Sequence, residues 1–149
     1  MCDIIRIPNI ENYNQEIVDG ELILTPKTTF ITEYELKTTP IQNSKIIECL
    51  ITHNDEIISI KTKYRSVLID IWKFMPTQKI LQTTTFNFKL TNENGSKGYS
   101  WCEDIKMSFQ NKDSNDSFRE ILHMCKVSNL TIRISIKLES GKIICYKTD

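Results

Sequence analysis

The chain has 149 residues, of which 40% are hydrophobic and 26% are charged. These values are typical of one globular domain, and they exclude disordered, collagen-like and coiled-coil proteins. The 19 basic residues balance the 19 acidic residues. The net charge therefore gives no argument for binding nucleic acid or an acidic membrane.

The composition favours β-structure. The chain contains no alanine, while isoleucine, lysine, threonine, asparagine and serine are abundant. Alanine is the strongest helix former, whereas isoleucine and threonine favour strands, so we expect more strand than helix. The abundant residues have A/T-rich codons, which indicates an AT-rich genome.

The cysteines are an odd number without a C-x-x-C pair, so no disulfide framework is predicted. The chain also shows no signal peptide and no run of about 18 apolar residues that would span a membrane. These features predict an intracellular, cytoplasmic protein with reduced thiols and no membrane partner. The cysteines are Cys2, Cys49, Cys102, Cys125 and Cys145.

The first twenty residues hold several asparagines around isolated isoleucines. We predict that residues 1–20 form an extended N-terminal arm and that residues 21–149 form a single α+β domain. Alternation of apolar and polar residues predicts four strands in the first part of this domain, the last two joined as a hairpin by a turn-rich tetrad. These predicted strands are Glu21–Leu24, Thr29–Leu36, Lys45–Thr52 and Glu56–Lys61.

In the middle of the chain the apolar residues recur every three or four positions. This spacing predicts a helix over Tyr64–Met75, with Trp72 as its core anchor. Pro76 ends this helix or begins a second short helical turn through Leu81. Alternation then predicts a strand over Thr84–Leu90.

The segment Tyr99–Gln110 places large apolar residues at nearly every odd position, which predicts one long strand. Glu103 is the exception, because it shares the face of Trp101. Either a bulge near Cys102–Asp104 turns Glu103 outward, or its carboxylate points inward beside Trp101. The bulge is favoured, since burying an unpaired carboxylate costs several kcal/mol.

The C-terminal part begins with a helix that Ser114 or Asp116 caps and that runs to Val127. The strand Leu130–Leu138 follows, and Lys142–Lys147 returns from it as the second strand of a hairpin. Most neighbouring strands are joined by turns too short for parallel crossovers. The predicted fold class is therefore α+β, a mainly antiparallel sheet with two helices packed on one face in a single layer pair.

The charges are unevenly distributed along the chain. Residues 1–60 contain ten acids and four bases, whereas residues 61–149 contain nine acids and fifteen bases. The two halves can attract each other, or the basic half can be a partner site. Nucleic-acid binding by the basic half is one alternative function, because lysine and arginine neutralise phosphates. Its candidate residues are Lys61, Lys63, Arg65, Lys73 and Lys79.

A Mg²⁺-dependent nuclease is the other, less favoured alternative. Such enzymes place an acid and an acid-x-Lys triplet on adjacent strands, because the carboxylates hold Mg²⁺ and the lysine steadies the attacking water. Asp104 and Lys106 have the triplet spacing, and Glu93 can supply the earlier acid. Against this hypothesis, the short triplet arises often by chance in a charged chain, and Glu93 lies in a polar loop.

The favoured function is a small non-enzymatic binding module with a protein partner. The sequence contains no glycine-rich phosphate loop and no HExxH, GxSxG or EF-hand pattern, so no cofactor and no metal is predicted. His53 and His123 are interpreted as packed or solvent-facing residues. Edge strands and the N-terminal arm can add to a partner's sheet. The sequence leaves the oligomeric state open.

One block of the sequence resembles known proteins. Gly98–Cys102 and Ser108–Asp113, within residues 97–142, are similar to small uncharacterised proteins of AT-rich giant DNA viruses of protists. The block covers under a third of the chain. The resemblance implies a viral accessory protein in an infected protist cell, located in the host cell or the virion, and it implies no activity and no functional residue.

Overall fold

A computed structural model of the protein describes residues 13–26 and 28–148. The predicted α+β class with mostly antiparallel strands is confirmed. The predicted single layer pair with two helices is wrong, because the described residues form three sheets and four helices. In chain order the elements are β1 (Tyr13–Val18), β2 (Glu21–Pro26), β3 (Thr28–Phe30), α1 (Glu33–Thr38), β4 (Lys45–His53), β5 (Glu56–Ser59), α2 (Tyr64–Phe74), α3 (Thr77–Thr83), β6 (Phe88–Lys89), β7 (Tyr99–Cys102), β8 (Met107–Gln110), α4 (Ser114–Val127), β9 (Thr131–Lys137) and β10 (Ile143–Lys147).

The first two strands form an antiparallel hairpin that is a sheet by itself. Its turn consists of Asp19 and Gly20, which both have positive φ (51° and 80°), as a type I′ turn requires. The predicted end of the N-terminal arm at residue 20 falls in this turn. Residues 1–12 of the predicted arm lie outside the described residues.

The largest sheet has five strands in the order β3-β10-β9-β4-β5. Its neighbours are antiparallel except β3, which runs parallel to β10. The predicted hairpins β4–β5 and β9–β10 are both present. The inner face of this sheet is aliphatic and buried, and it consists of Ile46, Cys49, Ile51, Ile132, Ile134, Ile136 and Ile144.

The predicted strand over Thr29–Leu36 is wrong, because β3 ends at Phe30 and α1 begins at Glu33. Thr32 caps this helix: its Oγ1 accepts a hydrogen bond from the Glu35 N–H (3.1 Å), and the Glu35 side chain accepts one from the Thr32 N–H (3.3 Å). This reciprocal capping box is a helix-start signal. The capping hydrogen bonds of Thr32 therefore start a helix, although the apolar and polar residues of Thr29–Leu36 alternate as in a strand.

Helix α2 contacts β5 of the five-stranded sheet and also the three-stranded sheet of β6, β8 and β7. The apolar stripes of α2 and α4 join the inner face of the large sheet in one core. Trp72 of α2 packs its ring edge-to-face on Phe88 and Phe109 of the small sheet, with ring centroids 4.9 and 5.0 Å away. No helix in the part of the chain that the structure describes is long and apolar enough to cross a membrane.

The predicted long strand over Tyr99–Gln110 is also wrong. Residues 103–106 form a turn, and β7 and β8 pair antiparallel across it, with Cys102 opposite Met107. Lys106 has a positive φ of 55° in this turn. The alternation continued through the turn because Ile105, the apolar residue within it, is buried, so periodicity alone could not locate the reversal.

Candidate functional site

The residues of the nuclease hypothesis lie in two segments that both border the small sheet. Asp104 and Lys106 are exposed in the β7–β8 turn, where the Lys106 ammonium pairs with Glu103. Glu93 lies in the loop between β6 and β7, where its N–H donates to Ser108 Oγ of β8 (2.8 Å) and its carboxylate accepts from Thr91 Oγ1 (2.8 Å). Among the described residues, no group of three or more His, Cys, Asp or Glu side chains is placed to hold a metal.

Glu103 is exposed, as the favoured alternative predicted, although a turn and not a bulge carries it outward. Its Oε2 accepts a hydrogen bond from Trp101 Nε1 (2.8 Å), and its Oε1 accepts from the Lys106 ammonium. These donors, Lys106 first and then Trp101, lower the pKa of Glu103. The charged side chains of Glu103 and Lys106 and the indole N–H of Trp101 therefore have hydrogen-bond partners within this segment.

The predicted basic cluster spreads over three successive elements. Lys61 and Lys63 lie in the connection from β5 to α2, Arg65 and Lys73 lie on α2, and Lys79 lies on α3. All are exposed except Lys79, which is half-buried. Lys73 lies eight positions after Arg65 on the helix, which corresponds to about 12 Å along the axis. The Arg65 guanidinium lies 5.2 Å from the Phe109 ring centroid.

A second basic surface was missed by the sequence analysis. The outer face of the five-stranded sheet carries the residues that alternate with the buried isoleucines of β4, β9 and β10. The pairing places Leu50 beside Arg133 and Arg133 beside Lys147, and it places Lys45 beside Lys137. We call this surface the basic sheet face, and it consists of Lys45, Glu48, Leu50, Arg133, Lys137 and Lys147.

The basic sheet face combines cations with exposed apolar groups. The face carries four cations but only one carboxylate, that of Glu48. At its edge the Lys147 ammonium lies 5.6 Å from the ring centroid of Phe30, which is 58% exposed. A shallow depression of about 210 Å³ opens beside Leu50, Arg133 and Lys147. The surface therefore suits an acidic ligand that also carries apolar side chains.

The β1–β2 hairpin carries two different exposed faces. The pairing places Ile17 opposite Leu22, with Tyr13 and Leu24 on the same side. These four residues, together with the polar Gln15 opposite Leu24, form what we call the apolar face, on which Ile17 is 74% and Leu22 is 50% exposed. The opposite side, which we call the mixed face, places acids opposite aliphatic residues. The mixed face consists of Glu16, Val18, Glu21 and Ile23.

The hairpin could have been predicted from its turn. Asp-Gly between two runs of strand-forming residues is the strongest short-range hairpin signal, because both residues tolerate positive φ. The isolated isoleucines and the asparagines before Asp19 favour the predicted extended arm instead. An isolated two-stranded hairpin is at best marginally stable in water. Its exposed aliphatic side chains therefore favour burial against another surface.

Burial disfavours the ionisation of two thiols, those of Cys49 and Cys125. Burial raises the pKa of Cys49 to about 12, and burial and then the nearby Cys49 raise the pKa of Cys125 to about 12. Cys102 and Cys145 are also buried. A thiol must ionise to attack a substrate. Cys49 and Cys125 therefore act as small apolar side chains that pack in the core of the protein.

A buried polar cluster joins α4 to the segment after α3. The carboxyl group of Glu120 is completely buried; it accepts hydrogen bonds from the Thr84 hydroxyl, from the Thr85 N–H (3.1 Å) and from the Thr85 hydroxyl (2.8 Å). One turn further along α4, His123 Nε2 lies 2.6 Å from the carbonyl oxygen of Thr83. These bonds occupy the Thr85 N–H and the Thr83 carbonyl at the start of the predicted strand over Thr84–Leu90, which is reduced to β6.

The comparisons with known proteins identify no family for this chain. No protein-family model, no curated protein sequence and no solved structure matches it. Its function therefore has to be inferred from the surfaces described above.

Proposed function

We propose that this protein is a non-enzymatic binding module that recognises a protein partner through the apolar face of its β1–β2 hairpin. The observation that supports this proposal is the exposure of Ile17 and Leu22, which lie opposite each other on one side of the hairpin. The resemblance to viral proteins adds the further proposal that the module is a viral accessory protein.

The energetics of the hairpin favour a partner. Fully burying an aliphatic side chain such as Ile17 or Leu22 contributes about 1.5–3 kcal/mol. Both strands of the hairpin are also edge strands, because they form a two-stranded sheet of their own. Their outward N–H and C=O groups can pair with an added strand, while pockets on the partner take the side chains.

The proposal predicts that the double variant Ile17→Asp and Leu22→Asp loses its protein partner. Two carboxylates on the apolar face would have to be desolvated in the complex, so capture from the native cell should fall by at least about tenfold. The captured protein would be quantified by mass spectrometry after crosslinking. The fold should persist, since Ile17 and Leu22 lie outside the buried core, and far-UV circular dichroism would check this.

A matched control carries the same charges on other exposed aliphatic residues. Leu81→Asp with Leu90→Asp replaces side chains that are 43% and 64% exposed on α3 and after β6. This control should retain the partner. Equal capture by the hairpin variant and the wild type would contradict the proposal, as would equal loss in both variants.

Nucleic-acid binding is the second candidate function, and the exposure of Lys61, Lys63, Arg65 and Lys73 supports it. In this case labelled single- or double-stranded oligonucleotides should bind, and the logarithm of the affinity should fall linearly with the logarithm of salt concentration. Fluorescence anisotropy would measure both. Lys61→Glu with Lys63→Glu should weaken binding, and an absence of binding at low salt would exclude this function.

A further inference from the structure

The mixed face of the hairpin and the basic sheet face complement each other in charge. We propose that the chain self-associates, with the mixed face of one molecule packed on the basic sheet face of a second copy. This inference concerns the side of the hairpin opposite the apolar face, so it goes beyond the proposed function.

The charges favour this pairing over either surface meeting a copy of itself. Residues 13–26 contain the acids Glu16, Asp19 and Glu21 and no base. The basic sheet face contains four cations and one carboxylate. Opposite potentials of this kind steer encounter and fix the register of an interface, while like charges in contact are costly. The chain as a whole has no net charge, so two copies do not repel each other at long range.

Both surfaces also carry aliphatic side chains, which lie directly beside the charged ones. On the mixed face Val18 lies opposite Glu21, and Ile23 lies opposite Glu16. Directly opposite residues in a sheet are about 5 Å apart. On the basic sheet face Leu50 lies opposite Arg133 at that same spacing, with Lys147 next in the row. On both surfaces charged side chains therefore lie beside an aliphatic one, so carboxylates can meet cations while Val18 and Ile23 meet Leu50 and Phe30.

The exposure of the mixed face favours a second copy over the molecule's own sheet. The hairpin forms a sheet of its own, and β3 is held at the edge of the large sheet by its pairing with β10. In the structure Val18 and Ile23 on the mixed face are exposed.

If each molecule places its hairpin on the sheet of the other, the assembly closes as a symmetric dimer. Each hairpin then lies on the sheet of its partner, and the two contacts are identical by the twofold axis. The apolar faces of both hairpins point away from the sheets on which the hairpins lie. The dimer would therefore present two copies of the protein-binding surface.

Sedimentation velocity of the purified wild-type protein tests this inference directly. At low salt the sedimentation coefficient should increase with protein concentration toward that of a dimer. Raising the salt should weaken the association by about tenfold or more, since exposed charges are screened beyond about 8 Å at physiological ionic strength. A wild-type protein that stays monomeric at every concentration at low salt would overturn the proposal.

Charge reversal identifies the two surfaces. Glu16→Lys with Glu21→Lys should be monomeric, and so should Arg133→Glu with Lys147→Glu. When these two variants are mixed, every reversed hairpin finds a reversed sheet and every native hairpin finds a native sheet, so a heterodimer should form. Lys61→Glu with Lys63→Glu is the matched control on a surface outside the contact, and it should dimerise like the wild type.

Other outcomes count against the proposal. Dimers that persist in both reversed variants, or a mixture that stays monomeric, would show that these faces do not meet. A basic sheet face that binds oligonucleotides while the protein remains monomeric would assign this face to nucleic acid instead. None of these results alters the capture experiment with Ile17→Asp and Leu22→Asp, so failure of the self-association is distinguishable from failure of the proposed function.

Discussion

Replacing Trp72 with alanine is expected to lower the free energy of unfolding by about 3–5 kcal/mol, the largest loss from a single substitution that we anticipate. Trp72 is 1% exposed and lies between α2 and the small sheet. Its ring meets Phe86, Phe88 and Phe109 with centroid distances of 5.6, 4.9 and 5.0 Å, all in edge-to-face geometry. Alanine would remove these contacts and leave a cavity among the three remaining rings.

Guanidinium denaturation followed by circular dichroism would measure this loss. Trp72→Phe is the conservative control: it keeps one ring in the site and removes an indole N–H that has no hydrogen-bond partner within the described residues, so it should lose less than half as much stability. Phe74→Ala, two residues along at 39% exposure, should also lose less than half as much. If Trp72→Ala were no less stable than Phe74→Ala, the small sheet would not depend on this anchor.

Replacing Glu120 with alanine is expected to lower the free energy of unfolding by about 3 kcal/mol. The substitution removes a completely buried acceptor and leaves the hydroxyl of half-buried Thr84 and both donors of exposed Thr85 without it. It also empties the volume of the side chain between α4 and the segment after α3. Urea denaturation would give the difference, and hydrogen exchange of the Thr85 amide should become faster.

Two further variants separate the hydrogen bonds from the packing. Glu120→Gln keeps the shape and one acceptor oxygen, so it should retain part of the stability that alanine loses. Asp116 lies one turn earlier on α4 and is exposed, so Asp116→Asn is the control on the same helix, and it should change the stability by less than about 1 kcal/mol. Equal stability of Glu120→Ala and the wild type would show that these buried bonds contribute nothing net.

The local patterns of the sequence correctly predicted several of the helices and strands whose apolar residues recur with a clear helical or strand period. Helices α2 and α4 follow from apolar residues at three- and four-residue steps, and β9 follows from its alternation of isoleucine with polar residues. Strand residues outnumber helix residues in the described chain, as the composition indicated. Two further elements also carry local signals in the sequence: the Asp-Gly turn of the hairpin and the capping box that begins α1 at Thr32.

The candidate surfaces were harder to predict than the elements. The residues of the apolar face are close together in the sequence, and recognising the Asp19-Gly20 turn would have paired Ile17 with Leu22. The basic sheet face draws on β4, β9 and β10, and β4 is far from the other two strands in the chain. No local spacing could show that Leu50, Arg133 and Lys147 lie in one row.

The sequence by itself determined the α+β class, the two helices of the core and the burial of Trp72, because side-chain periodicity decides which side of an element avoids water. The tertiary structure alone decided that Tyr99–Gln110 reverses at residues 103–106 and that Glu120 binds Thr84 and Thr85. It also decided which strands of the large sheet are neighbours. These features depend on hydrogen bonds and packing between residues far apart in the chain, and a periodicity within one segment carries no information about its distant partner.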